Sequence, residues 1–291
     1  MSTQECLTYF ETMRIDLHTH SFHSDGTESP RELLESAARA GLDVIGLTDH
    51  DTVSGWEEAA AVVAETGVTL VRGMEFTTRY GEFSVHMLGY LFDPQSPDIV
   101  RHVDQMAKSR RDRAQKIVAR LAADYPISWE DVLEVAEPGA PIGRPHIADA
   151  LIAHKIVPNR ETAFQTLLSS AGPYYVRQYA PQTSDVITWI NRAGGRAVIA
   201  HPLANRESRL PEVAVNDLAT AGLFGVEVNH RDNPPDLRPE LTQIVAENGL
   251  AEFGSSDYHG TGKPNKLGEN ITSAEVFAAL VSGTHLEVLY P

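Results

Sequence analysis

The 291-residue chain has little cysteine and no long apolar run. Cys6 is its only cysteine, which excludes an intramolecular disulfide and any metal site built from several thiolates. No uninterrupted apolar stretch reaches the roughly 20 residues that a membrane-spanning helix needs. The segment 1–14 also lacks the basic-then-apolar order of a secretory signal peptide. We therefore predict a cytoplasmic protein without a membrane partner.

Basic residues are scarce as well. The chain has 24 Lys and Arg against 40 Asp and Glu, a formal net charge of −16. This balance argues against a broad basic surface, and hence against duplex DNA as a partner. A small anionic substrate is still compatible, because bound metal ions invert the local sign of charge. The length and the 42% hydrophobic content predict one α/β barrel with a small insertion.

Histidine, in contrast, is plentiful, with 12 residues. Residues 14–20 alternate with the period of a strand, which places Ile15 and Leu17 on one face and His18 and His20 on the other. Repeated strand and helix patterns predict a mostly parallel sheet with functional groups at the strand ends. The predicted strands cover residues 14–20, 43–48, 68–71, 83–90, 197–200, 225–228 and 250–253. The predicted helices around them cover residues 30–40, 55–66, 185–192 and 238–247.

The alternation of strand and helix patterns stops between residues 98 and 179, where the patterns are helical. One long helix is predicted through residues 103–121, and its basic stretch from Lys108 to Lys116 is interpreted as a solvated face. We predict that 98–179 is an inserted helical subdomain that caps the active site. The barrel itself is predicted from residues 1–97 and 180–291.

Polar residues recur at the ends of the predicted strands. Nine of them are His18, His20, Asp25, His50, Glu75, His86, His201, Asp257 and His259. A lone His-x-His pair is a weak signal, but nine histidines and carboxylates at successive strand ends predict a metal site. Six imidazoles with three carboxylates favour Mn, Fe or Zn over Mg, which prefers oxygen donors.

The motifs that carry these residues resemble the PHP (polymerase and histidinol phosphatase) family. They are His18-Thr-His20, Ser24-Asp25-Gly26, Thr48-Asp49-His50, Gly73-Met74-Glu75, His86, Ala200-His201-Pro202 and Asp257-Tyr258-His259. The resemblance spans residues 14–260 and implies a distorted (β/α)7 barrel with two to three divalent ions. It implies one metal at His18, His20, Glu75 and Asp257, a second at Glu75, His86 and His201, and a third at Asp25, His50 and His259. Glu75 would bridge the first two.

This resemblance implies a metal-dependent phosphoesterase with catalytic roles for Glu75, Asp257 and His201. Three divalent cations against three carboxylates leave an electropositive pocket that attracts phosphate. A water between two metals would be deprotonated, its pKa falling from about 15.7 toward about 7, and would attack phosphorus in line. Asp49 is predicted to orient a ligand imidazole.

Substrate contacts are predicted from other patterns. Gly143-Arg144-Pro145-His146 opens a predicted helix, where backbone donors and a guanidinium fork form an anion site. Arg144 and His146 are therefore candidate phosphate contacts, with Arg177 and His230 as further candidates. The helical block is similar to the insertion of a PHP subgroup that acts on nucleotides. We predict hydrolysis of phosphate monoesters of small nucleotides such as AMP or 3′,5′-bisphosphates.

Several alternatives stay open. A phosphodiesterase or 5′-3′ exonuclease acting on short oligonucleotides or RNA ends would use the same metals. A histidinol-phosphate phosphatase would need pocket groups for an imidazole and an amino alcohol, which the sequence does not identify. Amidohydrolase-type C–N cleavage usually uses a bridging lysine, where Glu75 stands here. The non-enzymatic alternative is a polymerase-associated accessory module.

Overall fold

The computed structural model describes residues 13–136, 142–169, 171–204 and 209–291. The chain divides into two compact units, Met1–Val100 with Pro181–Pro291 and, between them in sequence, Arg101–Ala180. Among the described residues, every helix is too short or too polar to cross a membrane. The cytoplasmic location stays a prediction.

The first unit contains a seven-stranded sheet whose strand order follows the chain. The strands are β1 (Ile15–Thr19), β2 (Val44–Leu47), β3 (Thr69–Tyr80), β4 (Phe83–Tyr90), β5 (Arg196–Ala200), β6 (Gly225–Asn229) and β7 (Ala251–Gly254). Neighbours pair in parallel, except that β4 is antiparallel to β3 and β5. A parallel bridge from Thr19 to Tyr258 joins β1 to the segment after β7, so the sheet nearly closes. The predicted distorted barrel is confirmed.

Helices connect these strands and fill the second unit. They are α1 (Pro30–Arg39), α2 (Trp56–Ala60), α3 (Val63–Thr66), α4 (Pro97–Leu121), α5 (Trp129–Val135), α6 (Arg144–Ala153), α7 (Arg160–Gln165), α8 (Thr183–Arg192), α9 (Glu212–Thr220), α10 (Arg238–Glu247) and α11 (Ala274–Val281). The single helix predicted over 55–66 is wrong. Val62 leaves the helical conformation, with φ −112° and ψ 1°, and the chain forms α2 and α3 instead. The break lets Trp56, Val62 and Val63 all become buried.

Every residue of β1 is buried, as expected for a strand covered on both faces. Ile15 and Leu17 belong to the barrel core. Asp16 is also buried, and its carboxylate accepts hydrogen bonds from the backbone N–H groups of Ser256 (3.0 Å) and Gly268 (2.8 Å). Burial raises the pKa of Asp16 to about 6. Asp16 thus fixes β1 to the loop after β7, where further functional side chains lie.

The second unit has a hydrophobic core of its own, with Leu121, Ile147 and Leu151 fully buried in it. Its described residues, 101–136, 142–169 and 171–180, contain helices and turns and no strand. The role of this unit as a cover of the active site stays a prediction.

Candidate metal centre

Loops and strand segments at one edge of the barrel carry the nine residues predicted as metal ligands, called here the ligand cluster. Parallel strands end at a common edge, so residues that follow β1, β2, β5 and β7 meet there. His86 reaches the same edge from the first half of β4 because that strand runs the opposite way, opposite Thr77 of β3 and Ala200 of β5. Glu75 does not follow its strand as expected. It lies inside β3, which continues to Tyr80 to pair with β4.

Four buried side chains, His18, His20, Glu75 and Asp257, form the first group. The Nε2 atoms of His18 and His20 are 3.0 Å apart. Oε2 of Glu75 lies 3.1 Å from each of these nitrogens, and Oδ1 of Asp257 lies 3.3 and 3.1 Å from them. Two imidazole nitrogens and two carboxylate oxygens therefore converge on one point. A cation satisfies such a donor set.

The other oxygen of Glu75 faces a second group. Oε1 lies 2.8 Å from Nδ1 of His86 and 3.4 Å from Nε2 of His201. Nδ1 of His50 is 3.2 Å from Oε2 of Glu75. The two carboxylate oxygens of Glu75 thus address different sets of imidazoles, the arrangement that a bridging ligand needs.

The third group surrounds Asp25. Its Oδ1 lies 3.0 Å from Nε2 of His259 and 3.8 Å from Nδ1 of His20. Its Oδ2 lies 3.8 Å from Nε2 of His50. All nine predicted residues are therefore brought together. His20 and His50 each lie near both Glu75 and Asp25. The allocation predicted from the sequence gives each of these two histidines to a single metal.

The ligand cluster fits metal ions because several of its buried polar atoms lack a hydrogen bond to the described residues. Within the described ranges, Glu75 Oε1, Asp257 Oδ1, His86 Nδ1 and His259 Nε2 are buried without a hydrogen bond of suitable geometry. Leaving one such atom unsatisfied costs about 1–3 kcal/mol. Their convergence is explained if cations complete the site.

Electrostatics keep part of the ligand cluster in the protonation state that metal binding requires. Burial lowers the pKa of His50 to about 3, which leaves its imidazole neutral. Burial alone would raise the pKa of Glu75, but His50 and His18 outweigh this and hold it well below its usual range. Burial likewise opposes protonation of His20, but Asp257 and Glu75 raise its pKa to about 9. A proton there competes with a cation for the same carboxylates.

Comparisons with known proteins identify the family. A model of the PHP domain matches residues 16–90. The 3′,5′-nucleoside bisphosphate phosphatase of Chromobacterium violaceum is 33% identical over 257 residues, covering 86% of this chain and 88% of the relative. The chain belongs to the PHP family. A 5′-3′ exoribonuclease of Haemophilus influenzae is 30% identical to this PHP protein over 262 residues, covering 89% of this chain and 95% of the relative.

Two solved structures share the fold of this chain. A crystal structure from Bifidobacterium adolescentis, assigned as a metal-dependent phosphoesterase, superposes with a TM-score of 0.85 at 40% identity, covering 94% of this chain and 97% of the other. The structure of an amidohydrolase from Chromobacterium violaceum, with bound SO4 and no metal, superposes with a TM-score of 0.79 at 29% identity. The match covers 96% of this chain and 98% of the other. The resemblance read from the motifs is confirmed, and this PHP protein is a metal-dependent phosphoesterase that binds divalent metal.

Glu227 is a buried carboxylate of the PHP barrel that the sequence prediction missed. Its Oε1 lies 3.0 Å from Nδ1 of His18 and accepts a hydrogen bond from the Ser255 hydroxyl, and its Oε2 accepts the backbone N–H of His201 (2.9 Å). Burial opposes ionisation, but His18 lowers the pKa of Glu227 to about 2. This contact holds His18 with its Nε2 toward the ligand cluster. The alternation Val226-Glu227-Val228 in β6 is the signal that could have revealed it.

Two further side chains support the ligand cluster. Nζ of Lys263, also missed, donates to Oδ2 of Asp257 (2.8 Å), which leaves Oδ1 facing the histidines. Asp49 accepts hydrogen bonds from the hydroxyls of Ser21 and Ser24, both 2.7 Å. Oγ of Ser24 lies 3.4 Å from Nδ1 of His20. Asp49 thus acts on a ligand imidazole through a serine.

Backbone conformation is unusual at two members of the ligand cluster. His201 has φ 28° and Asp257 has φ 55°. Non-glycine residues held there cost on the order of 1–3 kcal/mol, and such strain concentrates at functional sites.

His230 is the predicted substrate contact that lies in the barrel unit. It is fully buried, and its ring centroid is 5.0 Å from that of His201. Its Nδ1 accepts the backbone N–H of Asp232 (3.1 Å), and within the described part of the chain its Nε2 has no hydrogen-bond partner. The structure therefore places His230 beside the ligand cluster.

The other three predicted contacts lie in the second unit. Arg144 donates to the carbonyl of Leu168 (3.3 Å), and its guanidinium lies 5.4 Å from the ring centroid of Phe164. Nδ1 of His146 accepts a backbone N–H at the start of α6 (3.2 Å). Arg177 lines a groove of that unit. As phosphate contacts all three stay predictions.

A pocket of about 370 Å³ adjoins the ligand cluster in the barrel unit. His86 and His201 form part of its wall. Apolar side chains, including Val85, Pro202 and Leu210, form much of the remainder. Ligand sites commonly combine an apolar wall with a few polar groups in a volume of about 300–1,000 Å³. The pocket is therefore large enough for a small-molecule substrate.

Glu227→Gln is expected to weaken metal binding about 10- to 100-fold, because the variant loses the carboxylate that fixes His18. Competition with a chelating dye would measure the affinity. Glu252→Gln, on the adjacent strand β7, is the matched control and should retain the parental affinity. Equal affinities of both variants and the parent would show that Glu227 does not support the site.

Proposed function

We propose that this PHP protein hydrolyses phosphate monoesters of small nucleotides, of the AMP or 3′,5′-bisphosphate type. The observation that carries the proposal is the position of the ligand cluster directly beside the 370 Å³ pocket, with His86 and His201 in both. A phosphate at the ligand cluster would leave the nucleoside in the apolar pocket. The relationship to a 3′,5′-nucleoside bisphosphate phosphatase supports this substrate class.

We propose two to three divalent ions, Mn, Fe or Zn, as the cofactors. The proposed ligands are His18, His20, Asp25, His50, Glu75, His86, His201, Asp257 and His259. Such an imidazole-rich donor set favours these borderline ions. When bound, the ions neutralise charge on the phosphoryl group and lower the pKa of a water to about 7.

The protein's own groups position this chemistry. Glu75 holds two groups of imidazoles together through its two oxygens. Asp257 is held by Lys263, and His201 lies where the ligand cluster meets the pocket. We therefore assign the catalytic roles to Glu75, Asp257 and His201. The Lys263 ammonium is partly exposed and supplies a positive charge for a substrate phosphate.

Further phosphate contacts are proposed for His230 and, in the second unit, for Arg144, His146 and Arg177. Guanidinium groups bind phosphate through two parallel hydrogen bonds, which suits the second phosphate of a bisphosphate. The unpartnered Nε2 of His230 offers a donor or acceptor close to His201.

The second candidate function is cleavage of short oligonucleotides from a 5′ end. One observation favours it: a groove in the second unit is lined by several cationic side chains. The exoribonuclease relative is consistent with this alternative, which needs the same metal ions.

A substrate screen tests the proposal. The manganese-loaded protein is incubated with AMP, 3′,5′-adenosine bisphosphate, histidinol phosphate and a short 5′-phosphorylated RNA, and released phosphate is measured. We expect the highest kcat/KM with one of the two nucleotides. Preference for histidinol phosphate would contradict the proposal, as would no nucleotide turnover by protein whose metal content is verified.

Lys263→Met is expected to lower kcat/KM for AMP about 10- to 150-fold, mainly through KM, because a charge-assisted contact with phosphate is worth about 1.5–3 kcal/mol. Steady-state kinetics measure the effect on protein with parental metal content. Lys266→Met removes an exposed lysine three residues away and should change little. If both variants keep the parental KM, Lys263 does not contact the substrate.

A further inference from the structure

A groove of about 560 Å³ lies between α4 and residues 176–179, within the second unit. We call it the cationic groove, since five basic side chains and only two acidic ones line it. The basic residues are Arg101, Lys108, Arg113, Lys116 and Arg177, and the acidic residues are Asp104 and Asp112. The whole chain has the opposite balance, with a net charge of −16. The cationic groove is thus a local site for anions.

Three of the cations follow one face of α4, with the carboxylates of Asp104 and Asp112 between them. Arg101, Lys108 and Lys116 are separated by seven and eight residues, close to two helical turns each. At about 1.5 Å per residue the row is about 22 Å long. A row of this length suits a ligand that repeats its negative charges, such as a phosphodiester chain, better than a single phosphate.

The opposite wall of the cationic groove is fixed by hydrogen bonds. Arg113 donates from Nε to the carbonyl of Val176 (2.6 Å) and from Nη1 to Oε1 of Gln178 (3.2 Å). Its guanidinium also lies 5.5 Å from the ring centroid of Tyr175. Arg120 donates to the carbonyl of Tyr175. These contacts tie the segment to α4, so the groove has a defined shape before any ligand binds.

An aromatic ring lies among the cations. Tyr179 lines the cationic groove, and its backbone N–H donates to Oγ of Ser109 on α4 (3.3 Å). A positively charged groove with an aromatic stacking surface is the usual arrangement for single-stranded nucleic acid. Stacking on an aromatic ring contributes about 1–3 kcal/mol per base.

We propose that the cationic groove binds the phosphodiester backbone of single-stranded RNA. A duplex would need a broad basic surface, which the acidic chain does not favour. The groove is separate from the ligand cluster in sequence and in unit. Its binding therefore does not depend on which phosphoester the metal centre hydrolyses.

Binding of a fluorescein-labelled, phosphorothioate RNA dodecamer with a 5′-hydroxyl tests the proposal, by fluorescence anisotropy of the full chain at several salt concentrations. Lys108→Ala with Lys116→Ala should remove two phosphate contacts. Each phosphate contact with a single strand contributes about 0.7 to the slope of log Kd against log salt, so the slope should decrease by about 1.4. Kd at 0.1 M salt should then rise about 25-fold. The matched control is Arg111→Ala with Lys155→Ala, which removes equal charge from exposed sites outside the groove.

Equal losses in the two double variants, or an unchanged salt slope, would overturn the proposal. Equal or tighter binding of the matching RNA duplex would overturn single-strand binding, and displacement by polyglutamate as effective as by RNA would overturn recognition of nucleic acid. Both variants should hydrolyse AMP like the parent, so a failure of the groove is distinct from a failure of the proposed nucleotide hydrolysis. If the first variant unfolds, Lys108→Ala alone should decrease the salt slope by about 0.7.

Discussion

Glu75→Gln is expected to reduce phosphoester hydrolysis about a thousandfold, a loss of about 4 kcal/mol in transition-state stabilisation. Each oxygen of Glu75 faces a different set of imidazoles, so one substitution affects two metal sites. The amide keeps the size of the side chain but removes the negative charge and one of the two acceptor oxygens. The measurement is kcat/KM with AMP, together with the number of metal ions bound per chain.

Glu247→Gln is the control for this experiment, because it makes the same chemical change on the exposed face of α10. That variant should keep parental kinetics and metal content. If Glu75→Gln retained near-normal turnover with a full complement of metal, the shared role of this carboxylate would be contradicted.

Removal of the metal ions is expected to abolish hydrolysis and to destabilise the fold. A ligand present at 100 times its Kd stabilises the native state by about 2.7 kcal/mol. For a protein of this size the corresponding fall in Tm is about 4–5 °C. Dialysis against a chelator, followed by differential scanning calorimetry and an AMP assay, measures both effects.

Restoration by added metal separates these effects from damage caused by the chelator. Adding Mn²⁺, Fe²⁺ or Zn²⁺ back should recover activity and Tm together, because the same ions would serve both. Protein shown by elemental analysis to be free of metal, yet still hydrolysing AMP at the parental rate, would contradict the dependence on metal.

Much of the ligand cluster is predictable from local patterns. The alternation around His18 and His20 places both on one face, His18 within the buried strand β1 and His20 directly after it, and residues that end parallel strands must meet at one edge of the barrel. The prediction that Glu75 follows its strand was wrong, because the length of a strand depends on the strands that pair with it. β3 extends to Tyr80 by pairing with β4, and that hairpin is a tertiary feature.

Side-chain contacts made by loop residues were harder to predict from the sequence. The Lys263 contact with Asp257 joins positions within one loop, but nothing in their spacing fixes the direction of the side chains. The location of His50 between Glu75 and Asp25 follows from how two loops pack. Helix α11 was not predicted although its N-cap signal is present, since Ser273 accepts the N–H of Val276.

A crystal structure of the manganese-loaded protein, with anomalous diffraction recorded at the manganese absorption edge, tests the central claim most directly. The account predicts strong anomalous peaks on both sides of Glu75, one against His18 and His20 and another against His86 and His201. Crystals that contain manganese by elemental analysis but show no peak within bonding distance of Glu75 would contradict it.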